Sequence, residues 1–123
     1  MTNWNYFSDE EIKGLDTELV AKLDQARHIA GIAFIITSGL RTPQTNIDGN
    51  SVKDSAHLTG AAVDLRCYDS HSLWKIMGAL FQVGFRRMGI YFRVIEWRAI
   101  PTHVHVDIDH TKPQEVLWLT VER

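Results

Sequence analysis

The sequence predicts an α+β fold in which a small mixed or antiparallel sheet is backed by helices. Two segments have the apolar spacing of amphipathic helices, and several short segments are rich in β-branched and aromatic residues. The chain has 123 residues, 45% of them hydrophobic, which is enough to build one core. No repeat, low-complexity tract or linker interrupts it. We therefore expect residues 1–123 to form a single domain.

The first helix is predicted to begin at Ser8 and to end before Gly31. Ser8 and Glu11 have the spacing of a capping box, and a glycine commonly follows the last turn of a helix. Apolar residues recur at helical spacing over this segment and predict its buried face: Ile12, Leu15, Leu19, Leu23, Ala26 and Ala30.

A second helix is predicted up to Val83. Asp69 or Ser70 can cap its first turn, and Gly84 can close its last. A short helix is also predicted near the end of the chain, over residues 113–119. We expect the helices to supply the layer that backs the sheet.

The strands are predicted from short β-branched runs or from alternation of apolar and polar residues. Residues 62–66 alternate in this way, and residues 85–97 hold one or two strands. Further strands are predicted over residues 32–37 and 102–108. The Pro, Gly and Asn residues between 42 and 55 predict a long loop, and loops of this length often carry function.

Composition excludes several classes of function. The net charge is −2 without a basic run, which disfavours binding to nucleic acid or to a membrane surface. The single Cys67 excludes an intrachain disulfide and a CxxC metal site, so a metal would need His and carboxylate ligands. The polar N-terminus lacks the features of a secretory signal, and no apolar run is long enough to insert into a membrane. We expect a soluble protein that is made in the cytoplasm.

Histidines and a carboxylate occur in two clusters with the chemistry of a metal site. His57 and Asp64 are seven residues apart, across a turn and into a strand, so both side chains can converge on one point. His103 and His105 are separated by one residue, and on a strand both would point to the same face. Two histidines and one carboxylate, with water in the fourth position, form the usual site of a hydrolytic zinc ion.

These clusters resemble the signature of the M15-type zinc peptidases. Residues 55–64 read SAHLTGAAVD and residues 103–105 read HVH, which are similar to the SxHxxGxAxD and HxH elements of that family. Residues 38–41, SGLR, resemble its SGxR element, and the resemblance covers roughly residues 35–107. The family includes D-Ala-D-Ala carboxypeptidases, L-Ala-D-Glu endopeptidases and phage endolysins. The resemblance implies a hedgehog/DD-peptidase-like fold with its zinc site on the sheet.

The resemblance also implies roles for individual residues. His57, Asp64 and His105 would bind one Zn²⁺ ion per chain. His103 would lie near the bound water as a catalytic imidazole. Arg41 would bind a substrate carboxylate or the developing oxyanion, a task that suits the planar fork of donors on a guanidinium group.

The general base is left between two residues. Glu96 with Trp97 resembles a Glu-Trp element of some relatives, although it lies further from the last ligand than in several of them. We favour Glu96, with His103 assisting. Trp97 could line the substrate groove, and Ser55 could form a hydrogen bond near the metal. Asp107 could orient a ligand imidazole from behind.

The function that the resemblance implies is a zinc-dependent peptidase that hydrolyses amide bonds in peptidoglycan stem peptides through a zinc-activated water. It would be a D,D-carboxypeptidase or an L,D-endopeptidase, and these remain alternatives. It would act as a monomer on the bacterial cell wall, after release by another factor. A second hypothesis is a catalytically silent module that binds zinc and peptidoglycan or serves as a phage structural part. A third is a metal-free interaction domain.

Overall fold

The computed structural model describes residues 4–38 and 59–122. In chain order the elements are α1 (Thr17–Ala30), β1 (Ile36–Ser38), β2 (Ala62–Arg66), α2 (Ser70–Val83), β3 (Arg87–Ile95), β4 (Arg98–Asp107) and β5 (Val116–Glu122). The five strands form one sheet in the order β1-β2-β4-β3-β5. Neighbouring strands are antiparallel, except that β3 and β5 are parallel. The predicted α+β class, with a mixed sheet backed by helices, is confirmed.

The first helix is shorter than the sequence predicted. Ser8 and Glu11 do form the hydrogen bonds of a capping box, with the Glu11 backbone N–H 3.2 Å from Ser8 Oγ. They close only a series of turns, because Gly14 adopts a φ of 82° and interrupts any helix there. The helix starts after Asp16, whose side chain caps its first turn, and it ends at the left-handed Gly31.

The second helix has the predicted limits. Asp69 caps it by accepting a hydrogen bond from a backbone N–H of the first turn, and Gly84 closes it in a left-handed conformation. Neither helix of the described residues is long and apolar enough to cross a membrane. Buried residues of both helices and of the central strands form one hydrophobic cluster, which includes Leu19, Leu23, Val63, Leu65, Ile76, Leu80, Met88, Val104 and Val106.

β2 has the predicted limits and β3 lies within its predicted range, whereas β4 is longer than predicted and the first strand is shorter. β1 has only three residues, so most of the expected strand over 32–37 is irregular. β3 and β4 form a hairpin in which Ile95 is paired with Arg98. The turn therefore consists of Glu96 and Trp97, and β4 begins four residues earlier than expected. The loop predicted between residues 42 and 55 lies outside the described residues.

The helix predicted over residues 113–119 is wrong, because residues 116–122 form a strand. Their apolar residues suit either structure by spacing alone. Pairing with β3 decides between them, since it satisfies backbone groups along seven residue pairs from Arg87↔Val116 to Arg93↔Glu122. One face of β5 stays exposed in the described structure, with Leu119 at 68% of its full accessibility. The other face joins the candidate site.

Candidate active site

The two central strands bring together residues that are far apart in sequence. In the antiparallel pairing of β2 and β4, Asp64 lies directly opposite His105 and Arg66 lies opposite His103. Val104 and Val106 are fully buried in the core on the side of the helices. Because side chains alternate along a strand, the two histidines lie on the opposite face of the sheet, as the HxH spacing predicted.

The imidazole of His105 lies between two carboxylates. Its Nδ1 is 3.1 Å from Asp64 Oδ1, and its Nε2 is 2.7 Å from Asp107 Oδ2. All three side chains are largely buried, and that of Asp107 is only 2% exposed. The other oxygen of Asp107 accepts hydrogen bonds from Arg87 Nε at 2.8 Å and from the Asp109 backbone N–H at 3.0 Å. Asp107 is thus fully engaged in holding the ring of His105.

These contacts shift the pKa values of both His105 and Asp107. Burial alone would lower the pKa of His105, but hydrogen bonds to Asp107 and Asp64 and their negative charges outweigh burial and raise it. Burial would likewise raise the pKa of Asp107, but the hydrogen bonds from His105 and Asp109 and the charge of Arg87 lower it. The surroundings therefore favour positive charge at His105, between two carboxylates.

The same arrangement suits a divalent cation on the Asp64 side of the ring. A carboxylate oxygen and an imidazole nitrogen face each other there, and both are ligand types that zinc takes. The carboxylate on the far nitrogen would fix the tautomer, as is usual behind a metal-bound histidine. Within residues 4–38 and 59–122, no three His, Cys, Asp or Glu side chains are grouped so that they could hold a metal ion.

Trp118 of β5 forms one wall beside His105. The two ring centroids are 5.4 Å apart, and the guanidinium group of Arg87 lies 5.2 Å from the indole ring. The indole lies over Gly89, which is paired with His105 on one side and Trp118 on the other. A Cβ atom at Gly89 would overlap the indole. A glycine within a strand is a signal of such close approach, and it could have indicated this wall from the sequence.

His103 has a separate set of supporting contacts. Its ring stacks on Tyr91, with centroids 4.3 Å apart and planes inclined by 16°. Its Nδ1 is 3.2 Å from Thr102 Oγ1 and 3.7 Å from Glu122 Oε1, and the Thr102 hydroxyl also forms a hydrogen bond with Glu122. These contacts leave Nε2 as the nitrogen available to another group. Sequence analysis missed Glu122, because this residue lies at the end of β5, a strand that the sequence did not predict.

Comparison with known proteins identifies the family. The model of the Peptidase M15 family matches residues 4–107 of the chain. The chain belongs to the Peptidase M15 family. The matched residues include β2 and β4, whereas β5 lies beyond them. No curated protein matches the chain in sequence.

A solved structure shares the fold of this M15 chain. The chain is similar to the crystal structure of the L-Ala D-Glu endopeptidase ChiX of Serratia marcescens, with a TM-score of 0.55 and 22% sequence identity. The similarity covers 80% of this chain and 85% of that one. At this identity, the comparison supports the fold of the M15 chain and leaves its chemistry to the residues themselves.

The structure does not bring Glu96 or Trp97 to the M15 site. Both form the turn of the β3–β4 hairpin, and Trp97 is 84% exposed. From Arg98, next to the turn, to His105 the chain runs seven residues along β4, a distance on the order of 20 Å at about 3.3 Å per residue. This placement puts Glu96 far from His105, so the structure gives no support to Glu96 as the base, and the expectation that Trp97 lines the substrate groove stays a prediction.

Three of the predicted site residues cannot be placed. Arg41, Ser55 and His57 lie outside the described residues of the M15 chain. The described chain resumes at Thr59, and Gly60 is buried against the segment before α1, with its carbonyl oxygen 2.9 Å from the Asp16 backbone nitrogen. Gly60 has a φ of 75°, and a Cβ atom there would overlap the carbonyl oxygen of Gly14. The chain therefore enters β2 from a fixed point, four residues before Asp64.

Proposed function

We propose that this M15 chain is a zinc-dependent peptidase that hydrolyses amide bonds in peptidoglycan stem peptides. The observation that carries the proposal is the contact of His105 with Asp64 on one side and Asp107 on the other. An imidazole held in this way is suited to a metal ion, and membership of a peptidase family indicates the reaction class.

The proposed ligands are His57, Asp64 and His105, which would hold one zinc ion per chain. Asp107 would support the ligand His105 through its Nε2, and Arg87 would balance the charge of Asp107. When bound, zinc would supply a water molecule of lowered pKa and a Lewis acid that polarises the scissile carbonyl.

His103 is the proposed general acid and base, since the structure places Glu96 far along the hairpin. His105 lies two residues further along the same face of β4, so the Cα atoms of His103 and His105 are about 7 Å apart. With Nδ1 held by Thr102 and Glu122, Nε2 can accept the proton of the attacking water and give it to the leaving amine. Arg41 would hold a substrate carboxylate or the developing oxyanion, and Ser55 would form a hydrogen bond nearby.

The bond between L-Ala and D-Glu is the first one to test. The solved structure to which the chain is similar, ChiX, is named as an endopeptidase for that bond. A D,D-carboxypeptidase is the alternative, and it would require a site for a free terminal carboxylate. A mixture of purified muropeptides contains both kinds of bond, so one digestion distinguishes them.

Metal analysis and product analysis on the same sample test the proposal. We expect about one zinc per chain by elemental analysis, and mass spectrometry should show muropeptide products that disappear with a chelator. His105→Ala and Asp64→Ala should lose metal and turnover together, because each removes a ligand. His103→Ala should keep the metal and lose turnover. The exposed His110 lies outside the site, so His110→Ala is the matched control that should keep both.

Other outcomes would point to the other hypotheses. Zinc without hydrolysis products would support a catalytically silent module that retains the metal. A wild-type protein with no stoichiometric metal, or full activity in His105→Ala, would refute the proposed site.

A further inference from the structure

A groove runs beside His103 on the same face of the sheet. It has a volume of about 490 Å³ and extends from His103 towards the β3–β4 turn, where Ile95 and Ile100 line it. Arg66 of β2 and Arg93 of β3 line its two sides. His105 and Asp107 are not among its lining residues, so the groove adjoins the candidate metal ligands without including them.

The described residues that line this groove give it a positive charge. Arg66 and Arg93 are both exposed, and neither forms an ion pair with a carboxylate of residues 4–38 or 59–122. Arg66 lies 5.5 Å from the ring of Tyr68, a contact that orients its guanidinium group without neutralising it. Among the described residues that line the groove, Glu122 is the one carboxylate, and it contacts Thr102 and His103.

The two guanidinium groups lie within reach of one ligand. Arg66 and Tyr91 are both paired with His103, and Arg93 is two residues beyond Tyr91 on the same face. Two strand spacings and two residues of rise separate the Cα atoms of the arginines by about 12 Å. Both side chains are long enough to approach a carboxylate between them, one or two peptide units from His103.

We propose that Arg66 and Arg93 form a carboxylate subsite that selects peptides with a free carboxylate next to the cleaved bond. The inference rests on the proposed function and adds the substrate class. The apolar Ile95 and Ile100 contact the aliphatic part of the peptide, and the guanidinium groups take the carboxylate in charge-assisted hydrogen bonds. A carboxamide at the same place loses the charge and receives fewer such bonds.

Matched peptides test the subsite through KM. One carries a D-glutamyl unit with a free carboxylate, and the other carries the carboxamide at the same atom. We expect wild-type protein to show a KM about 10-fold lower for the acid, with similar kcat, since a hydrogen bond to a charged group contributes about that factor. Arg66→Gln and Arg93→Gln should each raise KM for the acid and remove most of the preference. The preference should also fall with added salt.

Arg86→Gln is the matched control, since Arg86 is an exposed arginine outside the groove that pairs with Glu115. It should leave the acid preference unchanged. Equal KM values for acid and carboxamide in wild-type protein would overturn the subsite. So would a preference that survives in both groove variants, provided that circular dichroism shows them folded.

Binding measured without turnover separates failure of the subsite from failure of the proposed function. An NMR titration with each peptide reports dissociation constants whether or not the peptide is cleaved. Tighter binding of the acid, lost in Arg66→Gln and Arg93→Gln, would support the subsite even if no hydrolysis occurs. Hydrolysis with equal binding of acid and carboxamide would support the peptidase and refute the subsite.

Discussion

His103 and His105 are separated by one residue, yet their surroundings differ. The carboxylates beside His105 favour a cation, whereas His103 has an aromatic ring on its face and Glu122 near its Nδ1. This difference supports different tasks, metal binding for one and proton transfer for the other. The sequence alone could show that both share a face, but it could not show which carboxylates each of them meets.

Glu122 is expected to position His103 for proton transfer. Glu122→Gln keeps the size of the side chain but removes the charge beside Nδ1. We expect kcat to fall about 10-fold with KM and zinc content unchanged, because general acid–base catalysis typically contributes more than this factor in total. Steady-state kinetics and elemental analysis measure these quantities. Glu115→Gln, an exposed substitution outside the site, is the control, and an unchanged kcat in Glu122→Gln would exclude the positioning role.

Gly89 allows Trp118 to lie against the sheet beside His105. In Gly89→Ala the new methyl group would overlap the indole, so we expect the free energy of unfolding to fall by about 1–3 kcal/mol. For Gly78→Ala we expect the opposite change in the free energy of unfolding. Gly78 lies within α2 with open space around its Cα, so alanine should raise the free energy of unfolding by about 0.5–1 kcal/mol. Urea unfolding measures both, and equal effects would contradict the account.

At the level of the elements, Arg87 ties three parts of the chain together. It begins β3, pairs with Asp107 at the end of β4, and donates a hydrogen bond to the carbonyl oxygen of Pro113 at 2.6 Å. It thereby holds the connection that leads from β4 past the end of β3 to β5. This connection is what lets β5 pair with β3 in parallel.

Substitutions of Arg87 and of its neighbour Arg86 test this role. The Arg87 side chain is 11% exposed and its partner Asp107 is buried, so Arg87→Met leaves a buried carboxylate without its counter-charge. We expect a loss of about 3 kcal/mol in the free energy of unfolding. Arg86→Met removes an exposed ion pair with a distance of 3.5 Å and should cost less than about 1 kcal/mol. Comparable losses of stability for Arg87→Met and Arg86→Met in thermal or urea unfolding would argue against the role proposed for Arg87.

Local signals predicted some elements and failed for others. α2 followed its caps because Asp69 and Gly84 act within one turn of the helix. The start of the first helix was wrong because Gly14 outweighs the capping box before it. β5 was wrong because its structure depends on an open strand edge that lies about 29 residues earlier in the chain. The sequence of β5 alone does not indicate that the edge of β3 is open for pairing.

At the scale of the whole molecule, the candidate site combines motif residues with long-range contacts. Asp64 and His105, 41 residues apart, were predicted to converge, and the pairing of β2 with β4 places them in contact. Glu122, Tyr91 and Trp118 were not predicted, because each reaches the site through pairing of β3 with β4 or β5. Motif reading thus found Asp64 and His105, which contact each other, and missed the residues that shape the rest of the site.

Metal removal should lower the stability of the whole fold. The proposed ligands come from distant parts of the chain, so the unfolded chain would bind zinc more weakly than the folded protein. At a free zinc concentration about 100 times the dissociation constant, binding adds about 2.7 kcal/mol. We expect a chelator to lower Tm in wild-type protein and in His110→Ala, and to leave Tm unchanged in His105→Ala. A chelator-insensitive wild-type Tm would contradict zinc binding by the folded state.

The edge position of β5 has a consequence for local motion. β5 pairs with β3 on one side, and its apolar face with Leu117 and Leu119 is exposed. Such a strand can detach at a lower free energy than the core strands require, so its amide hydrogens should exchange faster than those of β4. Each detachment would withdraw Glu122 from His103 while Asp64 and His105 stay paired. Catalysis would then slow on warming before the fold is lost, and the loss of rate would reverse on cooling.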